Sequence, residues 1–216
     1  LEDKGQVFKT NYDTEVLLHL YHLHGADMML HLRGMYAFAI WDEAKRGLFL
    51  ARDPFGIKPI YYADTGGTFR MASTVKALMA GGKVGTGINP AGHVGFFLFG
   101  YVPEPHTLFE DIRSLPAGTT MWVDENGVGA PQTFFGVTDY LSASVGNDEK
   151  PISTEALREV LADSVRNHLV ADVPVGVFLS SGLDSTTIMA LAAEHHGAGL
   201  ETLTLGFEEF KGTEKD

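Results

Sequence analysis

The spacing of apolar residues near the start of the chain predicts a helical segment. Over residues 13–32, apolar side chains recur at three- and four-residue intervals, which is the period of an α-helix. Gly25 lies inside this stretch and is expected to divide it into two helical pieces. The side chains expected on one shared face are Val16, Leu17, Leu20 and Leu23.

The pattern then changes to short apolar runs separated by turn residues, which predicts strands. Residues 34–42 are almost continuously apolar and aromatic, as is typical of a strand covered on both faces. Asp53, Pro54 and Gly56 form a turn between the next two runs. The further strands are predicted over 46–53, 58–64 and 68–73, and a hairpin over 118–130 with its turn at Asn126-Gly127.

Two helices are predicted among these strands. A short one covers residues 75–79, and a second begins near Asn89, which places Pro90 at the first helical position. The consecutive apolar residues 96–99 on the second helix are expected to lie in the core. The chain up to about Val137 is therefore interpreted as a strand-rich layer with helices packed against it.

The last third of the chain has a different pattern of apolar and polar residues. Residues 138–152 lack apolar periodicity and are interpreted as an interdomain linker. Ser153 is expected to cap a helix, followed by a buried strand over 173–179, a helix over 186–196 ended by Gly197, and a strand over 201–206. The helix after Ser153 is expected to turn inward Leu157, Val160, Leu161, Val165 and Leu169. This alternation is typical of the start of a parallel α/β sheet, which two strands alone do not complete.

Composition narrows the classes of function. The 216 residues are 44% hydrophobic and 20% charged, as in an ordinary globular protein, and the formal net charge is −12. So acidic a chain, without a basic stripe, is a poor partner for nucleic acid or an anionic membrane. No apolar run approaches the ~20 residues that span a bilayer. There is no cysteine, which excludes disulfides, thiolate zinc sites and a cysteine nucleophile from these residues. The first residue is Leu rather than Met, and both ends are interpreted as cut.

The strongest chemical signal is the sequence VPVGVFLSSGLDSTTIMALAA. A predicted strand leads into the loop 180–185 and a helix follows at once, so that backbone N–H groups and the positive helix end can bind an anion. The loop is not a Walker motif, since it has no lysine. A divalent metal between Asp184 and phosphates would explain a carboxylate in such a loop. The alternative is a simple strand-to-helix turn in which Ser181 or Asp184 caps the helix.

These residues carry a resemblance to a known family. VGVFLSSGLDS resembles the S-G-G-x-D-S pyrophosphate loop of the N-type ATP pyrophosphatases, in the form found in glutamine-dependent asparagine synthetases. Upstream, TNYDTEVLLHLY, LRGMYAFAIWD and ARDPFGIKPIYY resemble the class II glutamine amidotransferase domain of the same family. The resemblance implies a partial α+β Ntn-hydrolase-type αββα sandwich over 1–137, a linker over 138–152, and the start of an α/β parallel-sheet ATP pyrophosphatase domain over 153–216.

The resemblance also implies roles for individual residues. Asp13 matches the aspartate that holds the α-amino group of glutamine, although an Asp at this place is also a natural N-cap. Leu179 and Leu205 match positions beside the adenine of ATP, with strand-end core as the alternative for both. The segment around RDPFG matches a mainly architectural motif that helps to shape the glutamine site. The residues matching the ATP and pyrophosphate site are Leu179, Ser180, Ser181, Gly182, Leu183, Asp184, Ser185 and Leu205, with Asp184 binding Mg²⁺.

The sequence departs from the family in three places. The glutaminase nucleophile of the family is an N-terminal cysteine, so it is expected upstream of Leu1 and no catalytic residue is assigned within the chain. Thr74 stands where the family usually has glutamate, which puts any role of that carboxylate in doubt. Ser181 stands where glycine is commoner and adds a hydroxyl.

The resemblance implies a cytoplasmic ligase that amidates aspartate through an acyl-adenylate. ATP and Mg²⁺ would serve the second domain, with ammonia from glutamine, while the 216 residues alone would catalyse neither half-reaction. Nucleic acid and membrane are not expected partners, and a homodimer stays open. Three alternatives remain: a β-lactam-synthetase-like relative, an enzyme that amidates another carboxylate such as a sugar acid or peptide, and a catalytically inactive binding module.

Overall fold

The computed structural model describes residues 1–2, 5–144, 153–196 and 199–206. The chain divides into two compact units, Leu1–Gly146 and Asn147–Asp216. The dividing point falls within the segment interpreted as a linker.

The first unit contains eight strands among its described residues. They are β1 (Ala37–Asp42), β2 (Gly47–Arg52), β3 (Tyr61–Thr65), β4 (Thr68–Ala72), β5 (Arg113–Ser114), β6 (Thr119–Asp124), β7 (Gly127–Val128) and β8 (Gln132–Thr133). The helices are α1 (Asp13–His24), a 3-10 helix (Gly25–His31), α2 (Val75–Ala80), α3 (Pro90–Phe99) and α4 (Val137–Ser144). The predicted strands and helices before residue 130 are all present, and Gly25 divides the first helical stretch as expected.

Two antiparallel sheets form the middle of this unit. The first has the order β1-β2-β6-β7, with β8 also pairing with β6, and the second has the order β4-β3-β5. Register in the first sheet is fixed by the hairpin in which Asp42 pairs with Gly47. Gly47 is required there, because a Cβ atom would lie 2.1 Å from the ring of Trp122.

Two hydrophobic clusters define the layers of the first unit. One cluster joins the α1 region to the outer face of the first sheet, and its buried members are Leu20, Met28, Met29, Ile40, Phe49 and Ala51. The other lies between the sheets and contains Leu50, Ile60, Tyr62, Leu115, Met121 and Val123. Helix α2 packs on β3 and β4 through buried Leu78. The order helix, sheet, sheet, helix is the αββα sandwich that the resemblance implied.

Three details of the first unit differ from the predictions. Strand β1 lies at the edge of its sheet, so Trp41 is exposed rather than covered. Leu23 is also exposed, unlike buried Leu20, with which it was expected to share a face of α1. Helix α4 begins at Val137 and occupies the first part of the predicted linker, whose remainder, 145–152, lies outside the described residues.

Helix α3 turns a different face toward the core from the one predicted. Its buried residues are Gly92 and Gly95, while residues 96–99 are all exposed, Phe97 to 82%. The two glycines face other parts of the chain so closely that a Cβ would lie 2.0 Å from the Thr107 carbonyl oxygen or 2.3 Å from Pro103. Close approach of the backbone on the glycine face therefore turns the large side chains outward.

The second unit consists of α5 (Thr154–His168), β9 (Gly176–Phe178), α6 (Leu183–His196) and β10 (Glu201–Leu203). Ser153 caps α5 as predicted, its hydroxyl accepting a hydrogen bond from the Ala156 amide at 3.1 Å. Strands β9 and β10 pair in parallel, which confirms the parallel sheet. Gly197, predicted to end α6, lies outside the described residues.

Burial in the second unit is lower than predicted. Helix α5 buries no residue, and its apolar face contacts mainly α6, where Leu191 and Ala192 are buried. The predicted buried strand is only three residues long, and Phe178 at its end is exposed. Among the described residues of the chain, no helix combines the length and the apolar character needed to cross a membrane.

Candidate functional site

A groove of about 660 Å³ opens beside the start of α1 in the first unit. Its walls come from the first turns of α1, the chain leading into β1, the turn before β3 and the end of β4. The polar and charged residues that line the groove are Asp13, Thr14, Arg33, Tyr36, Lys58 and Ser73. The groove thus combines one carboxylate with two cationic side chains, a set that suits a small zwitterionic ligand.

Asp13 is the first residue of α1 and does not cap it. The N-cap is Tyr12, whose backbone is extended and whose side chain makes no cap hydrogen bond. The Asp13 carboxylate is exposed and accepts a hydrogen bond from the Thr14 hydroxyl at 3.3 Å. The N-cap interpretation is therefore wrong, and Asp13 lines the groove at the end of a helix where negative charge is favoured.

The turn that follows β2 is held by two buried charged residues. Asp53 accepts hydrogen bonds from the amides of Ile57 at 3.0 Å and Lys58 at 2.9 Å. Arg52 donates to the Lys58 carbonyl at 2.9 Å and forms an ion pair with Glu104. These bonds fix the position of Lys58 at the edge of the groove. The structure therefore agrees with an architectural role for this segment.

Tyr36 is a groove residue that the sequence did not single out. Within the described part of the chain, its buried hydroxyl has no hydrogen-bond partner. Burial, together with the nearby negative charge of Asp53, raises the pKa of Tyr36 to about 12. The backbone carbonyl of Tyr36 accepts a hydrogen bond from the Asp53 amide at 2.8 Å, which ties β1 to the buried turn. Nothing in the sequence distinguishes this tyrosine from its aromatic neighbours.

Thr74 has a structural role of its own. It is the N-cap of α2, and its hydroxyl accepts a hydrogen bond from the Ala77 amide at 3.2 Å. Threonine is a favoured N-cap residue because its short side chain can reach the free amides of the first turn. The departure from glutamate at this position is therefore compatible with a well-formed helix beside the groove residue Ser73.

In the second unit, the loop 180–185 is organised by its own hydroxyl groups. The Ser180 and Ser185 hydroxyls lie 2.9 Å apart, and the Ser185 hydroxyl also donates to the Gly182 carbonyl at 3.1 Å. The Gly182 amide donates to the Ser180 hydroxyl at 3.2 Å. The loop is consequently a compact turn held by hydrogen bonds between its own residues.

Helix α6 begins three residues earlier than predicted. Leu183, Asp184 and Ser185 form its first turn, and Thr186 donates its hydroxyl hydrogen to the Gly182 carbonyl at 3.0 Å. Ser181, Gly182, Leu183 and Asp184 are exposed at this end of the helix. The hydroxyl-rich turn and the positive end of a helix together make a surface suited to phosphate groups.

Leu179 and Leu205 lie just beyond the carboxyl ends of β9 and β10. The Leu179 amide donates to the Leu203 carbonyl at 2.9 Å, and the Thr204 hydroxyl donates to the Leu179 carbonyl at 2.9 Å. Leu205 is 74% exposed, so the core interpretation is wrong for it, while Leu179 is half-buried. The structure brings both residues to the edge that also carries the loop 180–185. In open α/β sheets this edge is where ligands bind.

The donors around Asp184 suit a magnesium ion held together with phosphates. Among the residues that the structure describes, no group of three or more His, Cys, Asp or Glu side chains could hold a metal ion. Mg²⁺ does not need such a cage, since it commonly takes one or two carboxylates, water and substrate phosphates. The exposed Asp184 carboxylate beside the phosphate-suited turn fits that requirement.

Both units match known families. Residues 1–135 match the glutamine amidotransferase domain, and residues 156–216 match asparagine synthase. The chain is 40% identical over 207 residues to a putative glutamine-hydrolysing asparagine synthetase of Mycobacterium tuberculosis, covering 94% of this chain and 32% of that protein. It is 36% identical to asparagine synthetase 1 of Bacillus subtilis, covering all of this chain and 33% of that protein.

A third relative and one solved structure complete the comparison. Asparagine synthetase B of Escherichia coli is 33% identical over 195 residues, covering 90% of this chain and 29% of that protein. The glutamine phosphoribosylpyrophosphate amidotransferase of B. subtilis aligns with a TM-score of 0.42 and 20% identity, covering 94% of this chain and 41% of that one. The chain spans about a third of the length of these synthetases. It belongs to the glutamine amidotransferase domain family, and its last residues match the asparagine synthase family.

Proposed function

We propose that the full-length protein is a glutamine-hydrolysing asparagine synthetase that amidates aspartate at the expense of ATP. The observation that carries this proposal is the succession of two matches on one chain, an amidotransferase domain followed by an asparagine synthase domain. The relatives reported above carry the name asparagine synthetase. Their names do not favour the β-lactam-synthetase-like alternative or the inactive binding module.

The groove of the first unit is proposed to bind glutamine. The Asp13 carboxylate would accept hydrogen bonds from the ammonium group of the substrate, a charge-assisted contact stronger than one between neutral groups. Its support is that Asp13 lines the groove and is not used as a cap. The nucleophile is proposed to be a cysteine outside this sequence, since none of the 216 residues is one.

The turn 180–185 is proposed to bind the phosphates of ATP that leave as pyrophosphate. Aspartate would attack the α-phosphorus through a side-chain carboxylate oxygen, and pyrophosphate would depart with the electrons of the broken P–O bond. Ammonia would then attack the acyl carbon, so that the amide forms and AMP leaves. The amides and hydroxyls of the turn would stabilise the charge that develops on pyrophosphate.

Asp184 is the residue proposed to hold Mg²⁺. When bound, the ion would neutralise part of the charge on the departing pyrophosphate. Leu179 and Leu205 are proposed to lie beside the adenine ring, in agreement with their position at the same sheet edge. We further propose that the protein works in the cytoplasm, and its assembly as a homodimer remains a proposal.

A direct assay tests the proposed function. Purified full-length protein is incubated with ATP, Mg²⁺ and aspartate, with either glutamine or ammonium as the nitrogen source. Asparagine, AMP and pyrophosphate are expected in equal amounts with either source. Replacing aspartate by a panel of other carboxylic acids serves as the control, and a faster reaction with any of them would overturn the assignment of the acceptor.

A further inference from the structure

The segment that leads into α1 is fastened to the helix by one carboxylate. Glu15 lies in the first turn of α1, and its side chain reaches back to residues that precede the helix. Its oxygens accept hydrogen bonds from the Lys9 amide at 2.8 Å, the Thr10 amide at 2.7 Å and the Thr10 hydroxyl at 2.5 Å. The Thr10 hydroxyl in turn accepts a bond from the Tyr12 amide at 3.3 Å.

His19 holds the same segment one helical turn further along. Its Nδ1 lies 2.8 Å from the side-chain oxygen of Gln6, and its ring meets that of Phe8 edge-on at 4.7 Å between centroids. Its Nε2 lies 3.6 Å from a Glu15 carboxylate oxygen. Residues 6–10 are thus held along α1 at two successive turns of the helix.

The ionised form of Glu15 is the one that these contacts favour. Hydrogen bonds from the Thr10 hydroxyl and from the Lys9 and Thr10 amides lower the pKa of Glu15 to about 2. The carboxylate is therefore charged throughout the neutral range. Glu15 accepts from amides ahead of the helix rather than from the free amides of the first turn, and it thereby holds the segment that enters α1.

We propose that Glu15 is a positioning residue for Asp13. The inference rests on the proposed role of Asp13 in glutamine binding. Asp13 lies in sequence between Glu15 and residues 6–10, which Glu15 and His19 hold along α1. These contacts therefore hold the backbone that carries the Asp13 carboxylate. Glu15 itself does not line the groove. The core of this region is formed by other side chains, including Leu20 and Met28. Loss of the Glu15 hydrogen bonds would therefore change the start of α1 without unfolding this part of the first unit.

The test compares Glu15→Ala, Glu15→Gln and Thr10→Val in the full-length protein. Glu15→Ala is expected to raise the KM for glutamine about five- to twentyfold, because three hydrogen bonds to a charged acceptor are lost. Asparagine formation from ammonium should be unchanged, since that route does not use the groove. Glu15→Gln keeps one acceptor oxygen and Thr10→Val removes one hydroxyl, so both should give smaller increases in the same KM. Glu125→Ala, an exposed acidic residue in the β6–β7 turn, is the matched control and should leave both routes unaltered.

The outcomes separate this inference from the proposed function. Should Asp13→Asn raise the glutamine KM while Glu15→Ala does not, the positioning role is wrong and the substrate role of Asp13 stands. Equal losses of the glutamine and ammonium routes, with a lower thermal midpoint, would assign Glu15 to general stability and overturn the inference. Should neither variant change the glutamine KM, the proposed glutamine site is itself wrong.

Discussion

A carboxylate in the first turn of a helix can serve the helix or a ligand. In α1 the two acidic residues differ: Glu15 binds the backbone ahead of the helix, and Asp13 lines the groove. The sequence alone could not separate these uses, because both residues are acidic and lie near a predicted helix start. The distinction follows from the contacts that each side chain makes, which only the folded backbone determines.

Asp13→Asn tests the ligand-binding use. Asparagine keeps the size and most of the hydrogen bonding but loses the charge that would pair with an ammonium group. Loss of one charge-assisted contact costs about 1.5–3 kcal/mol, which corresponds to about a ten- to hundredfold higher glutamine KM. Synthesis from ammonium and the thermal midpoint should change little. A comparable fall in both routes would identify Asp13 as a residue needed for the fold.

Tyr36 allows a prediction about stability. Removing a buried hydroxyl that lacks a partner should be neutral or stabilising, because no hydrogen bond is lost and a desolvated polar group is eliminated. Tyr36→Phe is therefore expected to keep or raise the thermal midpoint. The matched control is Tyr21→Phe. The Tyr21 hydroxyl donates to the Asp42 carboxylate at 2.9 Å, and loss of this bond to a charged group should cost about 1.5–3 kcal/mol. Equal destabilisation by both changes would mean that the Tyr36 hydroxyl has a partner, such as an ordered water.

At the scale of elements, α3 shows where hydrophobic periodicity misleads. The sequence FFLF indicates a buried segment, yet its side chains point outward because glycines occupy the buried face. The backbone of α3 packs so closely against another segment at Gly92 that there is no room for a Cβ atom. The positions of large apolar residues in a sequence do not indicate such a contact. Most strands were predictable because their apolar runs were bounded by clear turn residues such as Asp53 and Gly127, whereas the two-residue strands β5 and β8 were not predicted.

Gly92→Ala tests the packing of α3. A Cβ at this position would lie 2.0 Å from the carbonyl oxygen of Thr107, so helix or loop must shift. Overpacking of this kind typically costs about 1–3 kcal/mol, and a lower thermal midpoint is expected. Val94→Ala, on the exposed face of the same helix, is the control and should stay within about 0.5 kcal/mol of the parent. A parent-like midpoint for Gly92→Ala would show that α3 is not closely packed on its glycine face.

For the whole molecule, the family resemblance implied the αββα layers, and the alternation of strands and helices predicted the parallel strand pair. The sequence did not predict the low burial of α5 and β9, because periodicity reports which side chains share a face and not whether another element covers it. The beginning of α6 was also placed too late. Leu183, Asp184 and Ser185 form the first helical turn because Ser185 and Thr186 bond back to the Gly182 carbonyl, a local arrangement that composition does not reveal.

We propose that two chemistries are joined in the full-length protein and that the turn containing Asp184 binds the phosphates. The most direct measurement is pyrophosphate release from ATP and aspartate by full-length Asp184→Asn, titrated with Mg²⁺, alongside glutamine hydrolysis by the same sample. We expect the Mg²⁺ requirement to rise and pyrophosphate release to fall together, because Asn keeps the shape but removes the charge that holds the ion. Glutamine hydrolysis should continue at the parent rate. Parent-like pyrophosphate release with an unchanged Mg²⁺ requirement would contradict the assignment and leave Asp184 as an ordinary residue of a helix start.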